Sequence, residues 1–346
     1  MKKLVIVALF LFSFSAFAQT STVSYEELWQ KVYHFELKAL PKSANAELQK
    51  IYVKAKKDKN SAQITKSIIY RSKFCLILED SENTLIELLK EEIKNAQPPT
   101  KNILENVLAE IYWQYLKKER WNLYRRTKTT EKINYQDFKT WGLNTLFTEI
   151  RIHYENSLQN KNLLQAIDLE AYDDILKTEP DSKRSRPTLY DFLAHNALSF
   201  LATNEYLLSK PSYQFEIDSS QYFTNFLSIP LEHKDSTSQE LKTLQLYQDL
   251  SNFHQKDKDP TAFITVLLEA YNYIESNSSI KNRKELLKQN YYKLQKKYRK
   301  HPSSSQIDFK LANLFREEAD RYSTTRNAKS QYKNQDALGF CNQLIF

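Results

Sequence analysis

Glycine is almost missing: Gly142 and Gly339 are the two in a chain of 346 residues, where ordinary usage of about 7% would supply some two dozen. Tight β-hairpin turns and β-bulges depend on a residue that accepts positive φ without steric cost, so this chain is poorly equipped to build a β-rich fold. Helical hairpins need far less glycine. Methionine is scarce too, one residue against 22 tyrosines and 19 phenylalanines, so the core is expected to be filled by aromatic rings rather than flexible thioethers. The two cysteines, Cys75 and Cys341, lie far apart in sequence. In an oxidising compartment they could pair; alternatively Cys75, followed by Leu76-Ile77-Leu78, is a small buried hydrophobe.

Signatures of catalysis are also lacking. No H-E-x-x-H, G-x-S-x-G, phosphate-binding loop or C-x-x-C occurs, so the familiar zinc-hydrolase, serine-hydrolase, nucleotide and thiol-redox motifs find no support. The histidines, His34, His153, His195, His233, His254 and His301, are scattered. None has another His or a Cys three or four residues away to make a metal pair on one helical face. Adjacent carboxylates such as Asp173-Asp174 and Glu317-Glu318 point about 100° apart on a helix and do not converge on one substrate. The expectation is no catalytic residue, no metal ligand and no cofactor.

What is present begins with Met1-Lys2-Lys3, an apolar run from Leu4 to Phe12, and Ala16-Phe17-Ala18. A basic start, a short apolar core and an A-x-A end make an export signal, cut near Ala18. The run is shorter than the roughly 20 residues a bilayer span needs, and no cysteine follows for lipid attachment. Residues 19–346 are therefore expected in the periplasm or outside the cell, with no membrane span. The formal charge is +8, concentrated around Lys54-Ala55-Lys56-Lys57, Lys117 to Arg126, and Lys288 to His301. Export argues against nucleic acid and leaves these runs as solvated helix faces or contacts for a protein partner in the cell envelope.

Hydrophobic residues then recur at helical spacing. Leu28, Val32, Phe35 and Leu40 start the pattern, and Leu48, Ile51, Tyr52 and Ala55 continue it after Pro41 with a fresh start at Ser43. Further helices are predicted over 61–79, 81–96, 101–118, 143–158, 160–177, 241–255, 260–275, 280–300 and 303–322. Helix, short polar joint and helix repeat at roughly 35 to 45 residues, the size of tetratricopeptide-like units. The fold class expected is all-α, an array of antiparallel helix pairs forming a TPR-like α-solenoid over 19–346. Residues 126–141 and 178–187 interrupt it, the latter a possible sub-boundary because of its Pro, Ser and charged composition.

Two clusters are candidate binding sites. In Arg186-Pro187-Thr188-Leu189-Tyr190-Asp191-Phe192-Leu193-Ala194-His195, Thr188 and Asp191 read as a capping box. Asp191 and His195, four apart on one helical face, could form a polar site with Arg186 and Tyr190, or Asp191 could simply cap the turn and orient His195. The second cluster, Trp113, Arg120, Trp121 and Tyr124 with Tyr112, Tyr115, Arg125 and Arg126, is either a sugar- or peptide-binding platform or a core cluster with snorkelling arginines.

Several strings together carry a resemblance: Leu40-Pro41-Lys42-Ser43-Ala44, Ile51-Tyr52 with Ala55, Glu110-Ile111-Tyr112-Trp113 with Tyr115, Arg120-Trp121 with Tyr124, Arg126 and Thr127, and above all the segment from Arg186 to His195. The chain resembles the N-terminal helical region of the large alpha-2-macroglobulin-like proteins exported by Bacteroidetes, over most of the length that follows the signal. The resemblance implies a helical region standing before β-sandwich macroglobulin domains and, in some members, a Cys-x-Glu-Gln thioester. Neither Cys75 nor Cys341 is followed by Glu-Gln, so no thioester residue carries over. The run from Asp336 to Phe346 reads as a helix cut short, and a truncated fragment is expected. The function expected is thus a non-enzymatic exported scaffold or interaction module. The alternatives are a periplasmic glycan- or peptide-binding helical repeat protein and, third, an envelope hydrolase.

Overall fold

A computed structural model describes residues 23–79, 82–126, 137–176, 179, 181–203, 215–235, 238–321 and 330–343. The signal segment lies outside them, as do residues 127–136 and 344–346. Among the described residues every regular element is a helix, and β structure is limited to two isolated bridges, Asp168 with Thr188 and Ile217 with Ser278. No helix there is long and apolar enough to cross a membrane.

The chain divides into two compact units, Met1–Asp80 and Ser81–Phe346. In the first, α1 (Tyr25–Leu37), α2 (Pro41–Asp58) and α3 (Ser61–Glu79) pack in sequence. Ser24 and Glu27 close a reciprocal capping box on α1, satisfying two of the orphan amides that every helix start leaves. The second helix begins at Pro41, two residues ahead of the predicted start, because proline suits a first-turn position whose amide has no helical acceptor. The core is Leu28, Trp29, Val32, Ala44, Leu48, Ile51 and Phe74. Trp29 donates its indole N–H to Gln63 at 2.7 Å, and the buried Lys66 ammonium lies 4.4 Å from the same indole. Cys75, expected in the core, is half-buried.

Scarcity of glycine shows at the joints. Ala39 (φ 53°), Lys59 (φ 54°) and Asn160 (φ 58°) stand in the left-handed region, where glycine is favoured because a Cβ crowds the carbonyl.

The second unit holds α4 (Glu82–Asn95), α5 (Thr100–Arg126), α6 (Leu143–Ser157), α7 (Lys161–Gln165), α8 (Ser182–Ser185), α9 (Leu189–Leu201), α10 (Gln221–Thr224), α11 (Gln239–His254), α12 (Thr261–Asn277), α13 (Arg283–Tyr298), α14 (Ser304–Asp320) and α15 (Lys333–Gln343). Consecutive helices pack as pairs, but α9 departs from a simple ladder by touching α5, α6, α7 and α11. Its sequence explains this: Leu189, Tyr190, Leu193, Ala194, Ala197, Leu198, Phe200 and Leu201 are all buried, an apolar surface too wide for one neighbour.

Two predicted helices differ from the observed ones. The helix placed over 101–118 runs on to Arg126, carried by Leu123, which is buried. The helix placed over 160–177 breaks into the short α7 and a 3-10 turn, Leu169–Tyr172. Here tertiary pairing takes the backbone groups a helix needs: Leu169 N–H donates to the Pro187 carbonyl and Leu189 N–H to that of Ile167, both at 2.9 Å. Asp168 also turns its carboxylate onto the Glu170 amide, as a residue that competes with the helix ladder does.

Candidate functional site

That backbone clamp fixes the start of α9, and the capping box predicted at Thr188 is formed. Asp191 accepts from the Thr188 backbone amide at 2.9 Å and from its hydroxyl at 2.8 Å. The other carboxylate oxygen of Asp191 lies 2.7 Å from Nε2 of His254, at the end of α11, and Nδ1 of His254 lies 2.7 Å from Asp257. The side chains of His254 and Asp191 are 1% and 0% exposed. An imidazole with a carboxylate on each nitrogen donates twice, which is the bonding of the cation. Burial works against charging His254, but the hydrogen bonds and charges of Asp191 and Asp257 outweigh it and hold its pKa above the ordinary value.

The carboxylate of Asp191 therefore serves the cap and His254. The His195 ring is held instead by the Asp191 backbone carbonyl, 2.8 Å from Nδ1. That bond uses a ring hydrogen on Nδ1, and Nε2 is buried and makes no hydrogen bond; a carboxylate oxygen of Glu269, on α12, is 3.5 Å from it. Arg186 approaches the other oxygen of Glu269 at 3.9 Å. Both distances exceed those of close charge-assisted hydrogen bonds, about 2.7–2.9 Å, so the lone pairs of Glu269 stay available. Tyr190 goes elsewhere again: its hydroxyl donates to Asp249 on α11, which also takes the Lys161 ammonium. Burial first, then the Asp249 charge and hydrogen bond, push the Tyr190 phenol far above its usual pKa.

Arg186 and His195 thus meet at Glu269, whereas Tyr190 and Asp191 lock α9 to α11. Glu269 also lines an open depression of about 460 Å³ with Thr265, Leu268, Ser305, Gln306, Phe309 and Lys310, from α12 and α14. The Thr265 hydroxyl, whose single hydrogen reaches the Thr261 carbonyl at 2.9 Å, lies 3.1 Å from the Gln306 side-chain amide, and that amide brings both donor and acceptor capacity to the depression. The Phe309 ring is 55% exposed.

The aromatic cluster of α5 is divided by helical geometry. Trp113 is 5% exposed and packs edge-on against Phe200 at 5.2 Å. Tyr112 is fully buried beside Phe138 and Trp141. Trp121 is 73% exposed near the end of the helix, where Arg120 lies 6.0 Å from its ring and 5.9 Å from that of Tyr124. One platform of all these residues is therefore not formed.

Sequence reasoning missed Glu269, His254, Asp257 and Asp249. The His254 and Asp257 spacing, three residues at a helix end, was the available signal; Glu269 gave none, since its partners lie far away in sequence. No group of three or more His, Cys, Asp or Glu side chains among the described residues is placed to hold a metal. Comparison with protein-family models, curated proteins and solved structures finds no match to this chain.

Proposed function

We propose that the chain is a non-enzymatic, exported helical interaction module of the kind that stands at the front of alpha-2-macroglobulin-like proteins, acting on a partner in the cell envelope. One observation carries the reading. Around α9, the ionisable groups Asp191, His254 and Tyr190 are buried and committed to one another or to Asp257 and Asp249, while Glu269, whose lone pairs are open, lies on the shallow α12 and α14 surface. A general acid or base must reach the proton it transfers, and buried, fully bonded groups do not; a shallow surface with an open carboxylate suits binding.

The discriminating experiment assays the purified chain, without residues 1–18, against ester, peptide and glycoside substrates beside its His195→Ala and Glu269→Gln variants. The expected result is no turnover that depends on either residue. Turnover abolished by His195→Ala with the fold intact overturns the reading in favour of a hydrolase. Export is checked separately: the periplasmic or secreted product of the full gene should begin at Gln19.

A further inference from the structure

We infer that the depression between α12 and α14 is a carbohydrate subsite that seats one uncharged sugar ring on Phe309, with its hydroxyls held by Glu269 and Gln306. The inference rests on the reading of the chain as a binding module and names the class of ligand that surface takes. Three observations carry it.

The first is the ring. Phe309 is a large apolar side chain left more than half exposed, directly beside a carboxylate and an amide in one depression. The face of an aromatic ring carries partial negative charge and accepts the C–H face of a pyranose, whose hydrogens are partly positive. The second is the inventory of polar groups. A sugar hydroxyl both donates and accepts, so neighbouring hydroxyls need an acceptor and a donor side by side. Glu269 supplies the acceptor, its lone pairs left open because Arg186 and His195 stand no closer than 3.9 and 3.5 Å. The Gln306 side-chain amide, in the same depression, supplies donors. The third is charge. The Glu269 carboxylate is offset by Arg186, 3.9 Å away, and by Lys310 in the same depression, so the site favours neither a strongly acidic nor a strongly basic segment. An uncharged polyol fits where a charged peptide would meet a like charge.

The buried Nε2 of His195 fits the same account. It makes no hydrogen bond of its own, and drawing the carboxylate of Glu269 toward a sugar hydroxyl costs no bond that His195 has already made.

The test titrates the full chain calorimetrically with chitohexaose, laminarihexaose and a mannan hexasaccharide, and in parallel with poly-lysine and poly-glutamate peptides. At least one sugar should bind, and Phe309→Ala and Glu269→Gln should each weaken it by at least about tenfold, the equivalent of one ordinary contact's free energy. Val53→Ala, which trims an exposed side chain on α2, should leave binding unchanged. Phe309 and Glu269 are exposed enough for both variants to keep the wild-type melting temperature, which separates loss of binding from loss of fold. If none of the three sugars binds, or if binding is indifferent to both substitutions, the inference is overturned. A peptide that binds in a Phe309-dependent way when no sugar does also overturns it, while leaving the binding-module reading intact.

Discussion

Replacing Asp191 by asparagine isolates the buried link between α9 and α11. The substitution keeps the shape and one acceptor for the Thr188 amide, so the cap at the start of α9 survives in large part. What it removes is the negative charge 2.7 Å from His254 Nε2. Truncating one member of a buried ion pair costs about 3–5 kcal/mol when the other charge is stranded. Here Asp257 still holds Nδ1 of His254 and the imidazole can shed its proton, so the lower end, about 3 kcal/mol, is expected. In a unit of this size that corresponds to a melting-temperature loss of roughly 6–12 °C. The assay is urea unfolding followed by circular dichroism for wild type, Asp191→Asn, His254→Gln and the double variant. Coupling of about 2 kcal/mol is expected, because each single substitution strands the partner of the other. The pH arm has a definite sign. A histidine whose folded pKa is raised contributes stability in full below its unfolded value of 6.5, and the contribution is lost as pH rises through the folded value. Wild-type stability should therefore fall as pH rises from 6.5 through the folded value, and His254→Gln should flatten the profile. Additivity of the two substitutions within about 0.5 kcal/mol, together with an unchanged pH profile, would refute the account of this link.

The helical class was readable because its signals are local. Hydrophobic residues at three- and four-residue spacing, two glycines in the whole chain and a capping box at Thr188 are each decided within one or two turns. The same local logic explains the failures. At 160–177 the helical pattern is real, but the backbone of Ile167 and Leu169 pairs with Leu189 and Pro187, and periodicity carries no information about a partner twenty residues away. The site divides along the same line. Asp191 as a cap follows from a spacing of three, whereas its contact with His254 crosses 63 positions. Placing Asp191 and His195 on one helical face was sound geometry, yet the carboxylate turns back to Thr188 and across to α11, and only the Asp191 carbonyl reaches His195. The α5 aromatics show the converse: eight residues separate Trp113 from Trp121, about 12 Å of helix, enough to put one in the core and the other in solvent.

Three further substitutions probe the remaining structure. Lys59→Gly, at a left-handed position ending α2, should raise the stability of the first unit by up to about 1 kcal/mol, since the relief of Cβ crowding slightly exceeds the added freedom of the unfolded chain; a loss in thermal unfolding would contradict that. Asp308 is buried in α14 with its carboxylate on the Gln295 amide at 2.6 Å; burial raises its pKa and the hydrogen bond opposes only part of the rise. A raised carboxyl pKa means stability held below the unfolded value and lost as pH climbs through the folded one, so Asp308→Asn should stabilise at pH 7 and lose its advantage in acid, as unfolding midpoints at the two pH values would show. The two tryptophans of α5 give the sharpest contrast. Trp113→Ala empties a core site against Phe200 and should cost about 3–5 kcal/mol, whereas Trp121→Ala trims an exposed ring and should stay within about 0.5 kcal/mol. Equal effects in denaturant unfolding would mean that Trp121 is covered, and that the end of α5 packs on something other than solvent.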